Sequence, residues 1–202
     1  MRKIGIYDSG CGGFSVVNQL LQKGFKGHIF YYGDSLNNPW GNKPKTQLKT
    51  ILDTISKWFH SKEIDCIYSG CNSTLSLFKE ELSTIFGVPV FNILKNTAHH
   101  YNETAYSALA TTNSYQNQLF KTFLNNKNVE EIPCENLATL IEQNEIEKAV
   151  DLAKTFIKET THDTIILGCT HYPLIINHLE THFPKKKFID PSIYLDTSQL
   201  NM

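Results

Sequence analysis

A chain of 202 residues has room for one large or two small domains. Its hydrophobic content of 41% and charged content of 19% are those of an ordinary globular protein and exclude disordered, collagen-like and membrane-embedded classes. A formal charge of −1 provides no basic field, so neither nucleic acid nor a lipid surface is an expected partner, and the short run Lys185 to Lys187 is expected to be a solvated strand entrance.

In chain order, the opening residues predict a strand over Lys3–Tyr7 and a helix over Ser15–Leu21. A strand over His28–Gly33 and a long helix over Thr46–His60 follow. Next come a strand at Cys66–Ser69, a helix at Thr74–Ile85 and a strand at Pro89–Ile93. The pattern then repeats, with strands at Ser107–Thr111, Val129–Ile132, Thr164–Leu167 and Lys187–Ile189. Helices are expected between them at Ser114–Leu124, Glu145–Glu159 and Leu174–His182. Short apolar strands alternating with helices imply βαβ units, hence an α/β fold with mainly parallel sheet. Nothing approaches the ~18 continuous apolar residues of a membrane span, and the opening residues make a strand rather than a signal-peptide core, so a cytoplasmic location is expected.

An internal echo organises the chain. Asp65-Cys-Ile-Tyr-Ser-Gly-Cys71 and Asp163-Thr-Ile-Ile-Leu-Gly-Cys169 share Asp-x-Ile-x-x-Gly-Cys, each a strand ending in Gly-Cys before a helix. A weaker echo places Asp8-Ser9 and Thr111-Thr112 at the ends of the strands that open each half. Two similar α/β halves related by a pseudo-twofold are expected, residues 1–96 and 97–189, with the crossing near Lys95 to Tyr101 and residues 190–202 returning to the first half.

Ligands of parallel sheets sit beyond the carboxyl ends of strands, where both Gly-Cys pairs fall. Two thiols facing one cleft suit racemisation, because inverting an α-carbon requires removing a proton from one face and delivering one to the other. The thiol acting as base must be held as thiolate by helix N-terminal amides or a nearby imidazolium, and His171 follows Cys169 by two residues. Gly70 and Gly168 are expected to let backbone approach a ligand. The five cysteines are odd in number and widely spaced, which argues against a disulfide framework. Cys11, Cys66 and Cys134 lack the Gly-Cys context and are expected as plain buried thiols, although Cys11 lies in a candidate substrate loop. His99 and His100 are expected at the surface.

These segments carry a resemblance. Asp8-Ser-Gly-Cys-Gly-Gly-Phe-Ser15 resembles the D-S-G-x-G-G-x-S loop that opens glutamate racemases. Tyr31-Tyr-Gly-Asp-Ser35 with Pro39-Trp-Gly41 is similar to their Y-x-G-D-[ST]-x-x-x-P-Y-G segment, and Cys71-Asn-Ser-Thr74 to C-N-T-A. Leu167-Gly-Cys-Thr-His-Tyr-Pro-Leu174 matches L-G-C-T-H-Y-P-L throughout. The resemblance implies interconversion of L- and D-glutamate without pyridoxal phosphate, other cofactor or metal, supplying D-glutamate for peptidoglycan. It implies Cys71 and Cys169 as the proton-exchanging pair, assisted by Asp8, His171 and Glu142, the last from the L-I-E-E-like Leu140-Ile-Glu-Gln143. A substrate pocket of Ser9, Pro39, Trp40, Gly41, Asn72, Ser73, Thr111, Ser114 and Thr170 is likewise implied. The bland alternatives are a cap on the glycine-rich loop for Asp8 and a solvated helix-start carboxylate for Glu142.

Departures from the pattern are Trp40 for tyrosine, Ser73 for threonine, Leu109-Ala-Thr111 for L-G-T, where the Ala110 methyl is expected to crowd the backbone, and Asn92-Ile-Leu-Lys-Asn96 at the crossing. The family also continues past the position of Met202 with a further strand and helix. The expectation is therefore an exposed apolar edge, met by weakened stability or by a homodimer. Competing readings are a racemase of aspartate or a hydantoin, a non-catalytic relative, and a nucleotide-binding module suggested by Gly10-x-Gly12-Gly13, whose fingerprint fails at Ser15. A zinc site on Cys169-Thr-His171 lacks a second ligand pair.

Overall fold

The computed structural model describes residues 1–94, 105–124 and 128–200. The crossing expected near Lys95 to Tyr101, and His99 and His100, lie outside them. The first half runs β1 (Lys3–Asp8), α1 (Phe14–Gln22), β2 (His28–Gly33), α2 (Lys45–His60), β3 (Cys66–Ser69), α3 (Asn72–Phe78), α4 (Leu82–Phe86) and β4 (Val90–Asn92). The second runs β5 (Ala105–Ala110), α5 (Thr112–Gln116), α6 (Leu119–Phe123), β6 (Asn128–Pro133), α7 (Leu137–Glu142), α8 (Ile146–Glu159), β7 (Thr164–Leu167), α9 (Ile176–His182) and β8 (Lys187–Ile189).

Two four-stranded parallel sheets result, ordered β2-β1-β3-β4 and β6-β5-β7-β8, the same winding used twice. The inner strands are apolar because both faces are covered: all four residues of β3 and of β7 are buried, and β1 is buried from Ile4 onward. Helix α2 turns Leu48, Leu52, Ile55 and Phe59 to one side, the three-to-four spacing that seats a helix on a sheet. One buried cluster runs from the first sheet to Tyr106, Ala108, Ala110 and Phe120 of the second half, so the halves share a core. A second cluster, with Leu109, Ile165 and Leu167, covers the other face of the second sheet.

In each sheet the chain leaves the starting strand to one side and returns on the other. The crevice between β1 and β3, and that between β5 and β7, is therefore the switch point where a parallel sheet presents its loops to a ligand. Asp8 and Cys71 end the first pair, Thr111 and Cys169 the second.

The helix expected over Thr74–Ile85 is two helices, interrupted at exposed Lys79 and Glu80 by a turn in which Glu81 N–H donates to the Phe78 carbonyl. The apolar period continues across this turn, so the pattern carried no sign of it. Ser114–Leu124 divides at Gln118, whose left-handed backbone (φ 49°) ends one helix and starts the next. After β8, Leu195 and Leu200 are buried in the cluster that contains β1, and the Tyr68 hydroxyl donates to the Asp196 carbonyl at 2.7 Å. Within the basic run, Lys186 is a structural tie rather than a solvated charge, donating to the His162 carbonyl (2.8 Å) and Thr160 Oγ1 (3.1 Å). No helix among the described residues is long and apolar enough to cross a membrane.

Candidate active site

The loop after β1 is shaped by Asp8. Its Oδ1 accepts the Gly10 N–H at 3.0 Å, and its Oδ2 accepts the Thr170 hydroxyl at 2.9 Å, across the cleft from the second half. The cap reading of Asp8 is thus half of its role. The side chain is fully buried, and desolvation pushes its carboxyl up to about 6, against the pull of His171 and of the two hydrogen bonds.

Cys71 stands at the N-terminus of α3. Burial pushes its thiol up to about 12, and the Asp8 charge adds to this, while the Thr74 and Ser73 amides pull in the opposite sense. The expectation that helix amides hold this thiol as thiolate is therefore corrected: desolvation outweighs them.

Cys169 has a different neighbour. Its Sγ lies 3.6 Å from His171 Nδ1, and His171 Nε2 lies 2.8 Å from Glu142 Oε2. Burial disfavours a charged imidazole, but hydrogen bonds to Cys11, Cys169 and Glu142 outweigh it and hold His171 well above its ordinary value. Glu142, hydrogen-bonded by His171, is held at about 2 despite partial burial. It also accepts the Cys11 N–H at 2.9 Å, so it ties the first half's loop to the second half's histidine. The helix-start reading of Glu142 is overturned, because the residue ends α7 and turns its carboxylate inward.

Between the thiols lies a cavity of about 150 Å³, well below the ~300–1,000 Å³ that drug-sized ligands occupy. Cys71 and Cys169 both open onto it, with Ser9, Pro39, Trp40, Gly41, Asn72, Ser73, Thr111 and Thr170. Asp8, His171 and Glu142 stand behind the thiols and are not on its wall. Ser114 is a correction: it is fully buried and off the wall, accepting the Thr111 hydroxyl at 3.0 Å. Sequence reasoning missed Asn42, Thr112, Cys134, Glu135, Asn136, Ala138 and Thr139. Of these, Cys134 had been expected to be a plain buried thiol; it is buried, yet it forms part of the wall.

The walls are clamped across the cleft. Asn72 Nδ2 donates to the Gly168 carbonyl (3.1 Å), Ser73 and Thr111 hydroxyls meet at 2.9 Å, and Asn113 Nδ2 donates to the carbonyls of Trp40 and Lys43, both at 3.1 Å. Trp40, where the resemblance has tyrosine, donates its indole N–H to Asp34 Oδ2 at 3.2 Å. Ala110 does not crowd the cavity; it is fully buried in the shared core.

The glycine-rich loop is turned to the protein's own side chains rather than to a phosphate. The Gly10 and Cys11 amides are taken by Asp8 and Glu142, and a side chain at Gly12 would meet His171 Nδ1 and Thr170 Oγ1 at 2.6 Å. This disposes of the nucleotide-binding reading. Gly168 is also demanded by packing rather than by a ligand, since a Cβ there would run into the Leu109 carbonyl and the Phe120 ring. Gly168→Ala is accordingly expected to destabilise the fold by about 1–3 kcal/mol, read as a lowered midpoint in thermal or urea unfolding.

Residues 40–193 match the family model described as Asp/Glu/Hydantoin racemase. The chain is 31% identical to the glutamate racemase of Prochlorococcus marinus (strain NATL1A) over 94% of its own length and 76% of the relative's. The chain belongs to the Asp/Glu/Hydantoin racemase family. It is an isomerase, an amino-acid racemase. Among solved structures, the glutamate racemase of Francisella tularensis in complex with D-glutamate superposes with a TM-score of 0.84 at 25% identity, covering 96% of this chain and 77% of that one. The glutamate racemase of Aquifex pyrophilus gives a TM-score of 0.79 at 27% identity, covering 98% and 83%. Both share with this racemase the α/β fold of two halves.

Proposed function

We propose that this racemase interconverts L- and D-glutamate by exchanging the α-proton between Cys71 and Cys169. The observation that carries the reading is the pair of strand-end thiols, one from each half, opening onto one small cavity with a separate proton partner behind each: Asp8 beside Cys71, His171 and Glu142 beside Cys169.

In one direction the Cys71 thiolate takes the proton from Cα, and the electron pair of that C–H bond is left on a planar carbanion conjugated with the carboxylate. The Cys169 thiol then donates its proton to the opposite face, and the electrons of its S–H bond stay on sulfur. In the reverse direction the roles exchange. Asp8 receives the proton that Cys71 must give up before the reaction. The His171 imidazole, polarised by Glu142, steadies the Cys169 thiolate and returns its proton. Asn72 keeps a second Nδ2 hydrogen to donate to a substrate carboxylate, while Ser73, Thr111 and Thr170, whose hydroxyl protons go to Thr111, Ser114 and Asp8, shape the wall beside it. Residues 1–96 and 97–189 then act as two jaws, with residues 190–202 belonging to the first.

The glutamate relatives support the substrate choice over aspartate or a hydantoin, and the paired thiols with their partners speak against a non-catalytic relative. The product fits a cytoplasmic supply of D-glutamate for peptidoglycan, and five free cysteines suit a reducing compartment. Circular dichroism of the amino acid tests the reading. L-glutamate and D-glutamate are expected to lose their signal to the same racemic end point, with L-aspartate turned over at least about tenfold more slowly. Aspartate as the better substrate, or inertness towards both, overturns it.

A further inference from the structure

We propose that Cys11, Glu142 and His171 form a binding site for a thiophilic divalent cation, zinc above all, and that its occupancy arrests the racemase. The arrest rests on the reading of His171 as the proton partner of Cys169; the binding does not. Of the three thiols that the catalytic reading leaves unused, Cys66 and Cys134 are buried and Cys11 alone is half-buried rather than sealed in the core. Its Sγ, a Glu142 carboxylate oxygen and a His171 ring nitrogen all lie within 4.8 Å of one another.

Three separate elements bring these donors together: the loop after β1, the end of α7 and the turn after β7. The backbone already fixes their approach. The Cys11 amide is bonded to Glu142 at 2.9 Å, Glu142 to His171 at 2.8 Å, and Gly12 lies against the imidazole with no room for a side chain.

The donor set selects the ion. One sulfur, one imidazole nitrogen and one carboxylate oxygen is a three-ligand arrangement that leaves a fourth position for water, as zinc accepts, while a thiolate discriminates against magnesium and calcium. Zinc–ligand bonds of ~2.0–2.3 Å in a tetrahedron place the ligand atoms about 3.3–3.7 Å apart. The farthest pair need close by only about 1–1.5 Å, and the His171–Glu142 contact must open by about 0.5 Å, movements available to the Cys11 and Glu142 side chains. This cluster differs from the zinc site set aside in the sequence, because Cys169 lies at the other ring nitrogen.

None of the three residues lines the substrate cavity, so the ion and the substrate do not compete for space. The ion instead takes His171 Nε2, the nitrogen that faces Glu142. That fixes the ring with its hydrogen on Nδ1, where it can steady a Cys169 thiolate but cannot accept a proton from Cys169. Inhibition is therefore of the noncompetitive kind.

Initial rates of glutamate racemisation under buffered zinc concentrations test this, with Cys11→Ala and Cys11→Ser each normalised to its own metal-free rate. Zinc is expected to lower kcat of the wild type without raising KM, reversibly on chelation, and either Cys11 substitution is expected to raise the inhibiting concentration by about tenfold or more. Cobalt(II) gives a second readout that needs no turnover. A thiolate-to-cobalt charge-transfer band is expected in the wild type and in Cys169→Ser, and its loss is expected in Cys11→Ala. Equal zinc sensitivity with and without Cys11, inhibition that raises KM, or a cobalt band that vanishes with Cys169 rather than Cys11 overturns the proposal. An inert protein that still shows the Cys11-dependent cobalt band retains the metal site and refutes the glutamate reading alone.

Discussion

Cys71→Ser and Cys169→Ser are each expected to lower racemisation kcat by about 10³-fold or more in both directions. A hydroxyl at either position is too weak an acid and, once ionised, too rare a base to serve one face of the α-carbon, and a positioned general acid or base contributes ~10²–10⁴-fold. Loss of either thiol removes inversion by the two-thiol route, because the remaining one reaches a single face. It does not stop exchange. In deuterium oxide each variant is expected to wash the α-proton out of one enantiomer with retention and to leave the other untouched, with the two variants choosing opposite enantiomers. Far-ultraviolet circular dichroism should remain native, since serine is smaller than the cysteine it replaces and both sites are enclosed by the clamped walls. Equal exchange of both enantiomers by either variant refutes the assignment of one thiol to one face.

Asp8→Asn and His171→Asn are expected to divide the same reaction along the other axis, each costing about 10²–10³-fold in kcat. With Asp8 beside Cys71 and His171 3.6 Å from Cys169, Asp8→Asn should suppress the exchange that survives in Cys169→Ser, and His171→Asn the exchange that survives in Cys71→Ser. The pH profile gives an independent readout. The Asp8 carboxyl titrates at about 6 because it is desolvated, and only its ionised form can take the Cys71 proton. As pH falls below about 6 the protonated form accumulates, so kcat/KM is expected to fall about tenfold per pH unit, and Asp8→Asn should remove that limb while leaving a low, flat rate. A limb that persists in Asp8→Asn assigns it to another group.

The chemistry was more legible than the walls. Thr164–Leu167 and Cys66–Ser69 are apolar runs because both faces of an inner parallel strand are covered, and their shared ending in Gly-Cys exposed the repeat without any structure. Helix α7 left no such trace. Six residues are too few to display a helical period, so Glu142 had a motif but its alternative place was set at a helix start rather than a helix end, and the wall from Cys134 to Thr139 that this helix supports went unread. Ser114 failed for a different reason: a hydroxyl three residues after a helix-capping threonine bonds back to it, as its 3.0 Å contact with Thr111 does, and a sequence does not say which of the two faces the cavity. The thiol of Cys71 shows the limit of local electrostatics. A helix following Cys71 could be read from the sequence, at Thr74–Ile85, and the structure starts it at Asn72, whereas the burial that outweighs it is set by residues from both halves.

The central claim, two thiols addressing one α-carbon from opposite faces, is tested most directly by the early time course of the wild-type enzyme in deuterium oxide starting from pure L-glutamate. The account predicts that deuterium appears at once in the D-glutamate formed, while the remaining L-glutamate stays unlabelled, because the proton removed by one thiol is not the one delivered by the other. D-glutamate that retains the original proton, or label entering the substrate pool as fast as the product, would mean that a single group serves both faces and would contradict the two-thiol account.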